Sequence, residues 1–159
     1  MSSADIIKLI VCIVACEGAG GIGAFLTRKA ISSWYAALKK PAFTPPNSVF
    51  GPVWITLYTL MGIAAFFVWR EGLVQEGARI AFTIFWVQLA LNVLWSAVFF
   101  RRKSIFGGMV VILLLWAAIL VTMIKFFGVS NMAGGLLIPY IVWVSIAANL
   151  NVRIWILNR

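Results

Sequence analysis

The sequence predicts an all-α polytopic membrane protein, a single-domain bundle of five transmembrane helices over residues 1–159. Three observations carry this. Hydrophobic residues make up 64% of the chain and charged ones 11%, too few polar side chains to cover a soluble domain of this length. The apolar residues fall into five blocks, about 6–26, 51–69, 80–100, 105–127 and 133–155. Each is close to the ~20 residues a helix needs to cross the hydrocarbon core. The alternating ~10-residue strands of a transmembrane barrel do not occur.

The first block holds Cys12 and Cys16, one helical turn apart. Adjacent turns of one helix do not offer disulfide geometry, so both read as buried thiols. The stretch GAGGIG, Gly18 to Gly23, matches a dinucleotide fingerprint in letters only. That motif needs a preceding strand and an acid about 20 residues on, whereas this stretch lies in a membrane helix and Lys and Pro stand near position 40. Small residues spaced four apart, Ala19/Gly23 and Gly20/Ala24, fit close helix packing instead, within the bundle or across a homodimer. IVAC, Ile13 to Cys16, loosely resembles a lipoprotein cleavage box; cleavage there would destroy the first helix and leave four. Glu17 is the one acid within an apolar block. An acid in hydrocarbon is expected to face the bundle, paired with an amide or protonated.

The chain carries 13 Lys and Arg against 4 Asp and Glu, and the cations gather at block ends, where orientation signals belong. Nucleic-acid binding is not the reading. Lys8, Arg70, Arg79 and Lys125 fall on the side of the N-terminus. Arg28, Lys29, Lys39, Lys40, Arg101, Arg102, Lys103, Arg153 and Arg159 fall on the other. The asymmetry places the N-terminus outside and loop one and the C-terminus in the cytoplasm, in the inner membrane of a bacterium. With no histidine, His-ligated zinc or haem and Ser-His triads drop out. No catalytic set, metal site or obligatory cofactor is expected.

The second block presents Trp54, Tyr58 and Met61 as a stripe. The third presents Gln88, Asn92, Trp95 and Phe99 within about 40° of one face. The fifth presents Tyr140, Trp143, Ala147 and Asn151. Counted at ~1.5 Å per residue from the cytoplasmic ends, the three stripes reach one level, as an aromatic pocket with a few amides would require. Gln88 and Asn92 suit either interhelical hydrogen bonding or ligand contact. Trp116, mid-helix in the fourth block, has no polar companion nearby in sequence and reads as packing or lipid contact. Between the first two helices, residues 27–50 are too long for a minimal connection and are stiffened by Pro41, Pro45 and Pro46. Trp34 and Tyr35 suit the interface, and Lys39 and Lys40 suit anionic headgroups or an anionic ligand. Asn47 or Ser48 can cap the next helix. This loop reads as a lid over the pocket.

The residues WYxxLxKPxFxPP, then VFGPVW and LY (Trp34 to Tyr58), with LNVLWSAVFF (Leu91 to Phe100) and PYIVWVSIAANLN (Pro139 to Asn151), resemble the TspO/translocator protein family. The resemblance covers nearly the whole chain. It implies five transmembrane helices, frequent homodimers, and a pocket under loop one that takes porphyrins such as protoporphyrin IX, sterols and benzodiazepine-type ligands. The family's pocket positions fall on Tyr35, Trp54, Tyr58, Asn92, Trp95, Trp143 and Ala147, beside Trp34 of the lid. A tetrapyrrole sensor, regulator or transporter is the function implied. Light-dependent porphyrin degradation, reported for some members, and a scaffold role are the alternatives. One departure is LNVRIW, where Val152 and Arg153 stand in place of the Tyr of the mammalian sterol motif.

Overall fold

The computed structural model describes residues 2–159, and five of its helices are long and apolar enough to cross a membrane. The elements are α1 (Ser3–Ile31), α2 (Trp34–Ala37), α3 (Asn47–Glu71), α4 (Glu76–Ser96) continued by a π-helical turn (Ala97–Arg101), α5 (Ile105–Phe127), α6 (Asn131–Leu136) and α7 (Ile138–Leu157). The spans are α1, α3, α4 with its π turn, α5, and α6 with α7. They close into a ring. α1 lies against α3 and α4, α4 against α5, and α5 against α6 and α7, while α6 and α7 return to α3.

Local chemistry sets the ends. Ser2 and Asp5 form a reciprocal capping box at 3.0 and 3.2 Å that starts α1. Ser104 accepts from the Gly107 N–H at 3.2 Å, and Ser130 from that of Ala133 at 3.4 Å, to start α5 and α6. α3 stops at Gly72, whose φ of 99° suits a residue without Cβ.

Several boundaries depart from the apolar blocks. α1 runs on to Ile31, because Thr27 to Ile31 contains neither Pro nor Gly and nothing ends the helix at the bilayer edge. Loop one is correspondingly shorter and holds α2. α3 begins at Asn47 behind Pro46 with no side-chain cap, so neither Asn47 nor Ser48 acts as N-cap. The fifth span is broken at Leu137. Pro139 has no N–H to bond back to the Gly135 carbonyl, so the ladder of the first helix cannot run on, and Pro139 instead sits in the first turn of α7, where a missing N–H costs little.

Lid and bundle are tied together at two places. The Lys39 N–H donates to Asn158 Oδ1 at 3.1 Å, and Asn158 Nδ2 donates to the Lys39 carbonyl at 2.9 Å. Trp34 and Tyr35 pack edge-on against Phe99, at 5.4 and 6.2 Å between ring centres.

Candidate functional site

Beneath α2 lies a cavity of ≈ 590 Å³ enclosed by α1, α2, α3 and the end of α4, in the size range that takes small organic ligands. Trp54 stacks on Tyr58 at 5.5 Å, and Trp95 stands 6.5 Å from Trp54 and stacks on Phe99 at 5.9 Å. Tyr35 closes the top, buried, with its phenol pushed above the ordinary value by desolvation and so held neutral. The opposite wall is the small-residue face of α1: Gly20, Gly21, Gly23, Ala24 and Thr27, with Glu17 at one end and Arg28 at the other.

Behind the aromatic wall a chain of hydrogen bonds links three helices. The Tyr58 hydroxyl donates to Asn92 Oδ1 at 2.7 Å, Asn92 Nδ2 donates to the Tyr140 hydroxyl at 2.8 Å, and that hydroxyl donates to Gln88 Oε1 at 2.9 Å. Gln88 and Asn92 are each 1% exposed. Unpaired amides at such burial would cost several kcal/mol. The network satisfies both ends of the Asn92 amide and the Gln88 carbonyl, while Gln88 Nε2 has no partner among the described residues. A second link runs from Trp95 Nε1 to Asn151 Oδ1 at 3.3 Å and from Asn151 Nδ2 to the Ala147 carbonyl at 2.9 Å. Asn92 both belongs to this network and reaches the cavity; Gln88 is structural.

Of the eight residues singled out from sequence, Tyr35, Trp54, Tyr58, Asn92 and Trp95 line the cavity. Trp34, Trp143 and Ala147 are not among its lining residues. Trp34 sits behind Tyr35 on Phe99. Ala147 is buried, with its carbonyl bonded to Asn151. Trp143 lies edge-on to Phe50 at 5.6 Å and borders a shallow groove between α3 and α7 with Pro52, Thr56 and Pro139. The third stripe thus meets the other two through Tyr140 and Asn151, as network rather than as wall. Trp116 also departs from expectation: its Nε1 donates to Ser145 Oγ at 2.8 Å, whereas the buried Nε1 of Trp143 has no partner among the described residues.

Sequence reasoning missed the α1 wall. Gly20, Gly23, Ala24 and Thr27 recur at helical spacing, but the pattern reads equally as a helix contact. Both uses occur: the Tyr58 ring lies over Gly20, and Ser96 Oγ stands 3.3 Å from where a Cβ at Gly23 would sit. Lys40 was expected to face an anion. Its ammonium instead binds the carbonyls of Tyr35, Ala36 and Leu38 at 2.6, 3.3 and 3.1 Å, capping the short α2. The cation on the cavity wall is Arg28, 4.6 Å above the Phe25 ring. Glu17 lines the cavity as its acid, held by a hydroxyl rather than an amide, with Thr59 Oγ1 2.9 Å from Oε1. Among the described residues no group of three or more His, Cys, Asp or Glu forms a metal site.

A model of the TspO/MBR family matches residues 12–156. This chain belongs to that family. It is 40% identical to the tryptophan-rich protein TspO of Archaeoglobus fulgidus, covering 97% of this chain and 99% of the relative. It is also 40% identical to protein CrtK of Rhodobacter capsulatus, over 91% and 89% of the two chains. Similarity to the human translocator protein is 39% over 77% and 73%. Like its family, this chain is a membrane protein suited to a sensory or transport role, and its aromatic cavity lies under the first loop.

Proposed function

We propose that this protein binds tetrapyrroles and related flat hydrophobic ligands in the cavity beneath α2, as a sensor or transporter of them. The observation that carries the reading is the wall of Tyr35, Trp54, Tyr58 and Trp95 around ≈ 590 Å³, with Arg28 beside it. Rings of this kind stack on a macrocycle with ~0.5–1.5 kcal/mol per well-placed pair, and a guanidinium meets a carboxylate arm through paired N–H donors. The name "Tryptophan-rich sensory protein" carried by a relative from Cereibacter sphaeroides supports the sensory role.

Incubating the purified protein with protoporphyrin, dark and illuminated, tests this. Tryptophan quenching that saturates in the dark, and weakens with Trp54→Phe and Arg28→Gln, supports the proposal. The absence of saturable quenching overturns it. Loss of the porphyrin absorbance on illumination would favour a second reading, light-dependent degradation. The short ladder of Trp54, Trp95 and Phe99 rings beside the cavity, at 6.5 and 5.9 Å, makes that reading worth an arm.

A further inference from the structure

We infer that the Glu17 end of the cavity is a subsite for organic cations, formed by the Glu17 carboxylate, which the Thr59 hydroxyl holds, and by the Trp54 ring on the same cavity wall. This is a ligand class beyond the tetrapyrroles proposed above, sharing the same cavity. Among the described residues the only ion pair is Arg70–Glu71, at 3.9 Å. Glu17 and Arg28, both on the cavity wall, are therefore each without an ionic partner. They lie eleven positions apart on α1, ~16 Å along the axis at ~1.5 Å per residue, too far to neutralise one another. An acid at this depth in a membrane span carries a desolvation cost that a cation offsets.

The surroundings of Glu17 suit that partner. Thr59 Oγ1 is 2.9 Å from Glu17 Oε1 and 3.0 Å from the Ile55 carbonyl. A hydroxyl has one proton to give. Thr59 can therefore donate to only one of the two oxygens at a time, that of the Glu17 carboxylate or that of the Ile55 carbonyl, and it adds no charge to offset the acid. Among the described residues Oε2 has no hydrogen-bond partner, which leaves it for a ligand donor. One turn on from Glu17, Gly20 lets the Tyr58 ring lie against α1, and Trp54 stacks on that ring at 5.5 Å. The Trp54 ring and the Glu17 carboxylate, both on the cavity wall, each attract flat cations.

The test is tryptophan-quenching titration of the full-length protein in an uncharged detergent, at mildly alkaline pH. The probes are proflavine, a flat aromatic cation, and acridine, its neutral counterpart. The unaltered protein is expected to bind proflavine more tightly. Glu17→Gln should raise the proflavine Kd by roughly tenfold or more, the value of one hydrogen bond to a charged group, with acridine moving much less. Thr59→Val, which releases the carboxylate without removing it, should give a smaller loss in the same direction and serves where Glu17→Gln does not fold. Equal affinities for the two dyes, or equal losses of both in the variants, overturn the inference. Protein that binds protoporphyrin but shows no preference for the cation overturns it while leaving the tetrapyrrole reading standing. The reverse pattern does the opposite.

Discussion

At Gly20 the fold leaves no room for a side chain: a Cβ there would stand 2.5 Å from a ring carbon of Tyr58. That ring cannot swing aside freely, because its hydroxyl is bonded to Asn92 at 2.7 Å. Gly20→Ala should therefore cost about 1–3 kcal/mol in thermal unfolding, as overpacking does, and weaken protoporphyrin binding through the displaced ring. Gly18, with nothing within 4 Å of its would-be Cβ, is the matched control. Gly18→Ala should leave both measurements near the unaltered protein's, or raise stability slightly through helix propensity. Read from sequence, Gly20 pairs with Ala24 four positions on and Gly18 does not, but which helix meets that pair is not written in it. The position of Tyr58 on another span decides it.

Tryptophans at the level of whole helices show the same limit. Trp116 on α5 and Trp143 on α7 both fall mid-span, and sequence gave Trp143 the functional role because it shares a face with Ala147. The bundle reverses their bonding: Trp116 is paired with Ser145 on the neighbouring helix, and Trp143 Nε1 has no partner among the described residues. Trp116→Phe should lower the melting temperature by the equivalent of about 1 kcal/mol, one lost hydrogen bond. Trp143→Phe should cost less there, and less protoporphyrin affinity than Trp54→Phe. Larger loss at Trp143 would show that the cavity extends past Phe50 to α7. The five spans themselves were legible, since length and apolarity alone decide what crosses a bilayer. Their ends were not, because α1 continues through Arg28 and Lys29, beyond the apolar run. The π turn at Ala97–Arg101 was equally invisible. There the Arg102 N–H reaches back to the Ala97 carbonyl at 3.0 Å, five residues away, an arrangement frequent at functional sites.

For the molecule as a whole, stripe and depth arguments found that three spans converge, and the hydrogen bonds from Tyr58 through Asn92 and Tyr140 to Gln88 are that convergence. What they lacked was the order of helices around the ring. α1 carries no aromatic stripe, yet it forms one wall of the cavity, so the site lies on the α1 side of α3 and α4 rather than toward α7. Orientation rests on the charge asymmetry alone, which proposes a cytoplasmic lid. Cysteine placed at Ser48 should resist impermeant maleimide in intact cells, while one at Gln75 reacts; the opposite pattern reverses the topology. Cys12 and Cys16 are buried and should contribute little background. The bond pair between Lys39 and Asn158 has a consequence for timing. It joins residues 119 positions apart, so the C-cap of α7 ties the lid to the bundle. Asn158→Ala should speed ligand arrival and departure together in stopped-flow traces, shortening residence time while the ratio of the two rates stays nearly constant.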